Sequence, residues 1–253
     1  MYICYFDESY DGNHDFLTLG TLFNPQPHKI HNEFAQAKRN LNYVNEDGSL
    51  KEIKYAKCDS HSKYKIAREA IDCFAESTST FRCIVVDQRP ESGFNWNYFG
   101  SSHEDRAIKQ ARAYKVFTEL LLKSNCSAIK NGVLFADRLS RCTGDKFIPL
   151  IKESFGQAGV NYSSGLESPI FRHVQEVDPA LEQYHVGQIE DLLQGVIINE
   201  ICPGHNKYKR KLREYVKRRL SLPSLSRNYW ENLPRWKQDQ IHMKYQVWYW
   251  KPS

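Results

Sequence analysis

The sequence predicts an α/β fold built on one sheet of mixed strand direction, with helices packed against it. Three observations point there. Tyr2 to Phe6 and Phe16 to Phe23 are short runs rich in aromatic and aliphatic residues, joined by the turn formers Asp11, Gly12 and Asn13, and they read as a hairpin. Beyond it, strand-like runs alternate with runs of helical period. The run Phe81 to Asp87 is almost continuously apolar, as in a sheet covered on both faces.

Taken in order, the first run meets Asp7, Glu8 and Ser9, and strand alternation sends Asp7 and Glu8 to opposite faces. Pro25 and Pro27 end the second strand. His31, Phe34, Ala35, Lys38 and Leu41 then recur at helical spacing, up to a loop at Asn45 to Gly48. A short segment, Glu52 to Tyr55, precedes a helix capped by Ser60, with Tyr64, Ala67, Ile71 and Phe74 on its apolar face. Phe81 to Asp87 is a strand, and Arg89 to His103 is a loop or lid. A long helix follows from about Glu104 to Lys123. Gly132 to Asp137 is again a strand, Lys146 to Phe155 a helix, and Ile170 to Gln175 a strand after a Gly/Ser-rich loop. His185 to Ile201 is a strongly amphipathic helix, and a basic helix comes next. Pro223 to Pro234 has no clear period, and Tyr245 to Trp250 reads as a late strand or an aromatic packing tail. The expected organisation is an α/β domain over residues 1–200, with a C-terminal extension over 201–253 packed on it.

Composition narrows the class. At 253 residues, 41% hydrophobic and 26% charged, the chain can bury a sizeable core and resembles ordinary globular proteins. No apolar run is long enough to span a bilayer, which argues against a membrane partner, and the N-terminus does not read as a signal peptide. Seven cysteines without a CxxC pair fit neither a disulfide framework nor a zinc ribbon, so a reduced, cytoplasmic protein is expected. A zinc site from Cys202 and His205 lacks a second pair at ligand spacing. The net charge of +5 is concentrated: Lys207, Lys209, Arg210, Lys211, Arg213, Lys217, Arg218 and Arg219 face a single Glu214. Such a block is a footprint for phosphate or a solvated helix face.

The carboxylates carry the chemistry. Asp7 and Asp137 each follow a buried strand at its carboxyl end, the edge where open α/β sheets bind ligands. On neighbouring strands they would need a proton or a divalent cation between them. In the amphipathic helix, Ile189, Leu192, Leu193, Val196 and Ile197 form the core stripe, while Gln188, Asp191 and Gly195 line a flank. A mid-helix glycine costs about 1 kcal/mol relative to alanine, so Gly195 implies a close approach by a neighbour. Any one of these aspartates alone reads as a polar strand exit or helix edge. Trp96, Tyr98 and Phe99 offer stacking surfaces for bases, though loop aromatics more simply pin a loop to the core.

Tyr5, Phe6, Asp7, Glu8 and Ser9, then Glu52, Ile53 and Lys54, a strand ending in Asp137, and the late run Gln188 to Gly195 together resemble a bacterial and phage family known as domain of unknown function 3800. The resemblance spans roughly residues 1 to 200. It implies a ribonuclease H-like fold with divalent metal ligation by Asp7, Asp137 and Asp191, Glu8 and Glu52 as additional candidate ligands, and Lys54 as a phosphate or transition-state contact. One departure stands out: the family's helix motif has a small residue where this chain has Glu190, which is expected to point away from the Asp191 stripe.

The resulting expectation is a metal-dependent nuclease using Mg²⁺ or Mn²⁺, with Asp7, Asp137, Asp191 and Lys54 catalytic. Lys207, Lys209, Arg210, Lys211, Arg213, Lys217 and Arg218 would contact nucleic acid, DNA or RNA. The alternative is a non-catalytic module of the same fold that binds nucleic acid or a protein partner. A hydrolase acting on nucleotides is a third reading, and a homo-oligomer stays open.

Overall fold

The computed structural model describes residues 2–126, 132–137, 146–155, 171–234 and 244–251. Six strands form one mixed sheet: β1 (Tyr2–Tyr10), β2 (Phe16–Asn24), β3 (Thr80–Asp87), β4 (Gly132–Asp137), β5 (Phe171–Val177) and β6 (Tyr245–Trp250). Their spatial order is β5-β4-β1-β2-β3-β6. β1, β2 and β3 make an antiparallel meander, while β4 and β5 on one side and β6 on the other run parallel to their neighbours. β2 is buried along its whole length, as a strand covered on both faces must be.

Seven helices flank the sheet in the described residues: α1 (Pro27–Asn40), α2 (His61–Glu76), α3 (Arg106–Cys126), α4 (Phe147–Phe155), α5 (Gly187–Ile201), α6 (Lys207–Arg219) and α7 (Arg227–Asn232). Pro27, expected only to stop β2, also opens α1, because a proline at the first helical position gives up no hydrogen bond. Ser60 caps α2 as expected, its side chain accepting the Lys63 N–H. The stretch from Pro223 to Pro234 lacked a period in the sequence, yet Ser226 caps a short helix there that buries Trp230.

The sheet has two differently covered faces. Tyr5, Leu22, Phe81 and Val247 face a core built with α1, α2, α5 and α6. Phe6, Leu19, Val86 and Leu134 face a second core built with α3 and α4. The C-terminal run is a full strand: β6 pairs with β3 from Phe81 opposite Tyr245 to Val86 opposite Trp250. The stretch beyond residue 200 therefore supplies one edge of the sheet itself. In the 89–103 loop, Phe94 packs on Trp96 at 5.0 Å and on Trp250 at 5.8 Å, and Phe99 on Phe117 at 5.5 Å. These rings hold the loop to the second core, the simpler of the two readings.

Candidate functional site

A pocket forms where β1 and β4 part. Their parallel pairing runs from Tyr2 opposite Gly132 to Phe6 opposite Ala136. One residue further along each strand stand Asp7 and Asp137. Each lies two positions beyond Tyr5 or Phe135, whose rings meet at 5.9 Å, so both aspartates belong to that face of the sheet. β1 does not end at Asp7 as expected. It continues to Tyr10 because β2 still pairs with it there, Asp7 lying opposite Gly20. Asp7, Asp137, Asp191, Glu190, Glu52 and Lys54 all line the pocket.

The flank of α5 turns out to be a docking rail. Gln188 Oε1 accepts the Ile53 N–H at 3.1 Å and Lys38 Nζ at 2.7 Å, and its amide donates to Pro179 O at 2.7 Å. Asp191 Oδ2 accepts the Tyr55 N–H at 2.5 Å. One turn on, Gly195 leaves room for the Tyr55 ring, which a Cβ there would strike. The close approach implied by this glycine is thus made by an aromatic side chain. Gln188, Asp191 and Gly195 together fix the 52–55 segment, which presents Glu52 and Lys54 to the pocket. Lys54 Nζ lies 3.2 Å from Glu52 Oε1. Burial lowers the Lys54 pKa, but Glu52, Asp137 and Asp191 outweigh it and hold the ammonium above its usual range.

The carboxylates are crowded and poorly solvated. Burial, then Asp137 and Asp191, push Asp7 well above the carboxylate range, opposed by the Glu8 N–H that Asp7 Oδ1 accepts at 2.7 Å. Burial raises Asp191 to about 6, against the pull of the Tyr55 N–H and Lys54. Gln194 Nε2 donates to Thr18 O at 2.7 Å and to Asp7 O at 3.4 Å, tying α5 to the same stretch of β1 and β2.

Two residues differ from their expected places. Glu190 was expected to point away from the Asp191 stripe. It does leave that stripe, but toward the sheet, because α5 is sandwiched between the sheet and the 52–55 segment and is buried nearly all round. Its carboxyl group is fully buried beside Asp7, above Gly20. Glu8, a candidate ligand, is not brought to this pocket. Strand alternation turns it to the other face, where it hydrogen-bonds Tyr114 of α3. Lys38 is a buried participant that the sequence did not single out. Its ammonium, donating also to Lys51 O at 2.8 Å, anchors Gln188, and burial lowers its pKa to about 7.

The basic helix α6 packs through Leu212, Tyr215 and Val216 and starts near the pocket, Lys209 Nζ lying 5.1 Å over the Tyr55 ring. Its cations divide into two groups. Arg213 is committed to Glu200 at 3.2 Å and Glu214 at 3.1 Å, and Lys217 to Glu214 at 2.9 Å. Lys207, Arg210, Lys211 and Arg218 are exposed.

Among the described residues no three His, Cys, Asp or Glu side chains stand gathered as a ready-made metal cage. The donor chemistry nevertheless fits a hard divalent cation: every candidate donor is a carboxylate oxygen, and among the described residues both Glu190 oxygens lack a hydrogen-bond partner despite complete burial. Compared with protein-family models, curated proteins and solved structures, the chain matches none.

Proposed function

We propose that the chain is a ribonuclease H-like, divalent-metal-dependent nuclease, related to the domain of unknown function 3800 family. One observation carries this reading: acidic residues from the first strand, a later strand and a late helix line one pocket with Lys54 beside them. Asp7, Asp137 and Asp191 would hold Mg²⁺ or Mn²⁺, with Glu52 as a further oxygen donor. A bound ion of this kind supplies Lewis-acid charge to a phosphoryl oxygen and a water of lowered pKa.

The chain's own residues do the positioning. The Tyr55 N–H orients the Asp191 carboxylate, and the Glu8 N–H orients Asp7. Lys54, held at the pocket by the α5 rail, meets the charge of a phosphate. Half-buried Lys209 lies beside Tyr55, and the exposed cations of the same helix would follow the backbone of DNA or RNA away from it.

Calorimetry with Mn²⁺ on wild type and on the Asp7→Asn/Asp191→Asn double variant tests the reading, with and without an oligonucleotide. Binding in the wild type and its loss in the double variant are expected, together with Mg²⁺-dependent cleavage of an oligonucleotide that the double variant does not perform. A wild type that binds no Mn²⁺ even with the oligonucleotide present excludes the metal mechanism and leaves a non-catalytic binding module. Metal binding without cleavage of DNA or RNA excludes the nuclease.

A further inference from the structure

A further carboxylate belongs to this pocket, and neither the stripe pattern nor the resemblance assigns it. Glu190 is 0% exposed. Neither of its carboxyl oxygens has a hydrogen-bond partner, and no ion pair reaches it among the described residues. An isolated carboxylate buried in this way costs several kcal/mol unless a proton or a cation neutralises it. Its surroundings do not supply that partner: the groups that bear on it electrostatically are Asp7, Asp191 and Asp137, all acids like itself.

The backbone, meanwhile, makes room for it. Gly20 lies directly across from Asp7 in the β1–β2 ladder, and a Cβ at Gly20 would collide with Glu190 Oε1. Any other residue at position 20 would crowd the carboxyl group out of its place on the sheet. Gln194, one turn further along α5, grips Thr18 O and Asp7 O on either side of that spot. The helix is therefore fixed against the strands at the point where Glu190 reaches them. A glycine, a helix clamp and an unpartnered acid converge beside Asp7.

We infer that Glu190 is a metal ligand on the floor of this pocket, sharing with Asp7 a divalent cation that neutralises both. The inference rests on the metal-centre reading above and deepens it. The site then gains one carboxylate beyond Asp7, Asp137, Asp191 and Glu52, and it occupies the place where the family pattern has a small residue.

Two substitutions probe this independently. Glu190→Gln keeps the shape and removes the charge. Gly20→Ala keeps the charge and displaces the carboxyl group, which can swing aside because it is the far end of a flexible chain. Mn²⁺ affinity is read by calorimetry and by electron paramagnetic resonance, with Asp191→Asn as the positive control and circular dichroism as the check on folding.

Glu190→Gln is expected to weaken Mn²⁺ binding by on the order of tenfold to a hundredfold, and Gly20→Ala to weaken it in the same direction. Wild-type affinity in both variants, with affinity lost in Asp191→Asn, overturns the role of Glu190 and leaves the three-aspartate centre standing. Absence of Mn²⁺ binding by the wild type, with or without an oligonucleotide, overturns the centre and Glu190's role together. If Glu190→Gln does not fold, Gly20→Ala alone decides: unchanged affinity there rejects the role.

Discussion

Asp191 Oδ2 accepts the backbone N–H of Tyr55 at 2.5 Å, so the acid offered to the pocket also fastens the segment carrying Lys54. Site chemistry and local architecture share one hydrogen bond. Substitutions at Asp191 therefore separate by whether they keep an acceptor. Asparagine retains one, whereas alanine leaves the Tyr55 N–H unpaired. Asp191→Ala is expected to be less stable than Asp191→Asn by about 1–3 kcal/mol in urea unfolding, the cost of an orphaned buried donor. Equal stabilities would mean that the bond contributes little to holding the segment.

The same residue sets a pH dependence. In the folded protein Asp191 titrates near 6, above its ordinary value of 3.8, because burial penalises the charged form. Between those two values the folded chain holds this proton more tightly than the unfolded chain does. Its contribution to stability is therefore full below about pH 4 and declines as pH rises to about 6. The loss is on the order of 3 kcal/mol. Metal-free Asp191→Asn should thus gain on metal-free wild type as pH rises from 4 to 6 and keep a constant lead above it. Thermal melts in a chelator across pH 4 to 8 measure the difference, and parallel curves would contradict the shift. Using the difference between the two proteins cancels His185, whose burial lowers it to about 4 and which works in the opposite direction over the same window.

Gly195 and Tyr55 form a tight steric pair. Alanine is the better helix former by about 1 kcal/mol, so Gly195→Ala on an open helix face would stabilise. Here the new Cβ strikes the Tyr55 ring. Gly195→Ala is expected to lose about 1–3 kcal/mol, the usual cost of overpacking. Adding Tyr55→Ala should recover part of that loss, a coupling measurable in a double-mutant cycle. Additive effects would show that the ring moves aside freely.

The division among the α6 cations predicts two phenotypes. Replacing Lys207, Arg210, Lys211 and Arg218 together by alanine should weaken binding to a labelled oligonucleotide and flatten its salt dependence, by roughly 0.7–0.9 in the log–log slope for each phosphate no longer neutralised. Arg213→Ala should instead lower stability, since Arg213 bridges to Glu200 and to Asn199 O. Fluorescence anisotropy over a salt series together with thermal melts distinguishes the two. An unchanged slope in the quadruple variant would remove α6 as the nucleic-acid face.

Much of the architecture was legible from local pattern. The hairpin, the strand–helix alternation and the cap at Ser60 follow from turn residues, periodicity and side-chain hydrogen bonding within a few positions. The strand end at Asp137 and the stripe of Gln188, Asp191 and Gly195 were visible for the same reason, since each is fixed by position along a single element, whereas β1 runs past Asp7 because β2 still pairs with it. Alternation alone also separated Asp7 from Glu8.

Everything that depended on a distant neighbour was decided only in three dimensions. Whether Asp7 or Glu8 would face the pocket depended on which side of the sheet α5 chose. Glu190 read as a residue turned away, because the sequence does not reveal that α5 is enclosed on nearly every side. Lys38 sat in an ordinary helical pattern while its ammonium anchored Gln188, 150 positions further along the chain. The Tyr245–Trp250 run became a sheet strand only through its pairing with β3. Periodicity specifies which way a side chain leaves its own element, but burial and charge are set by what the fold places opposite it.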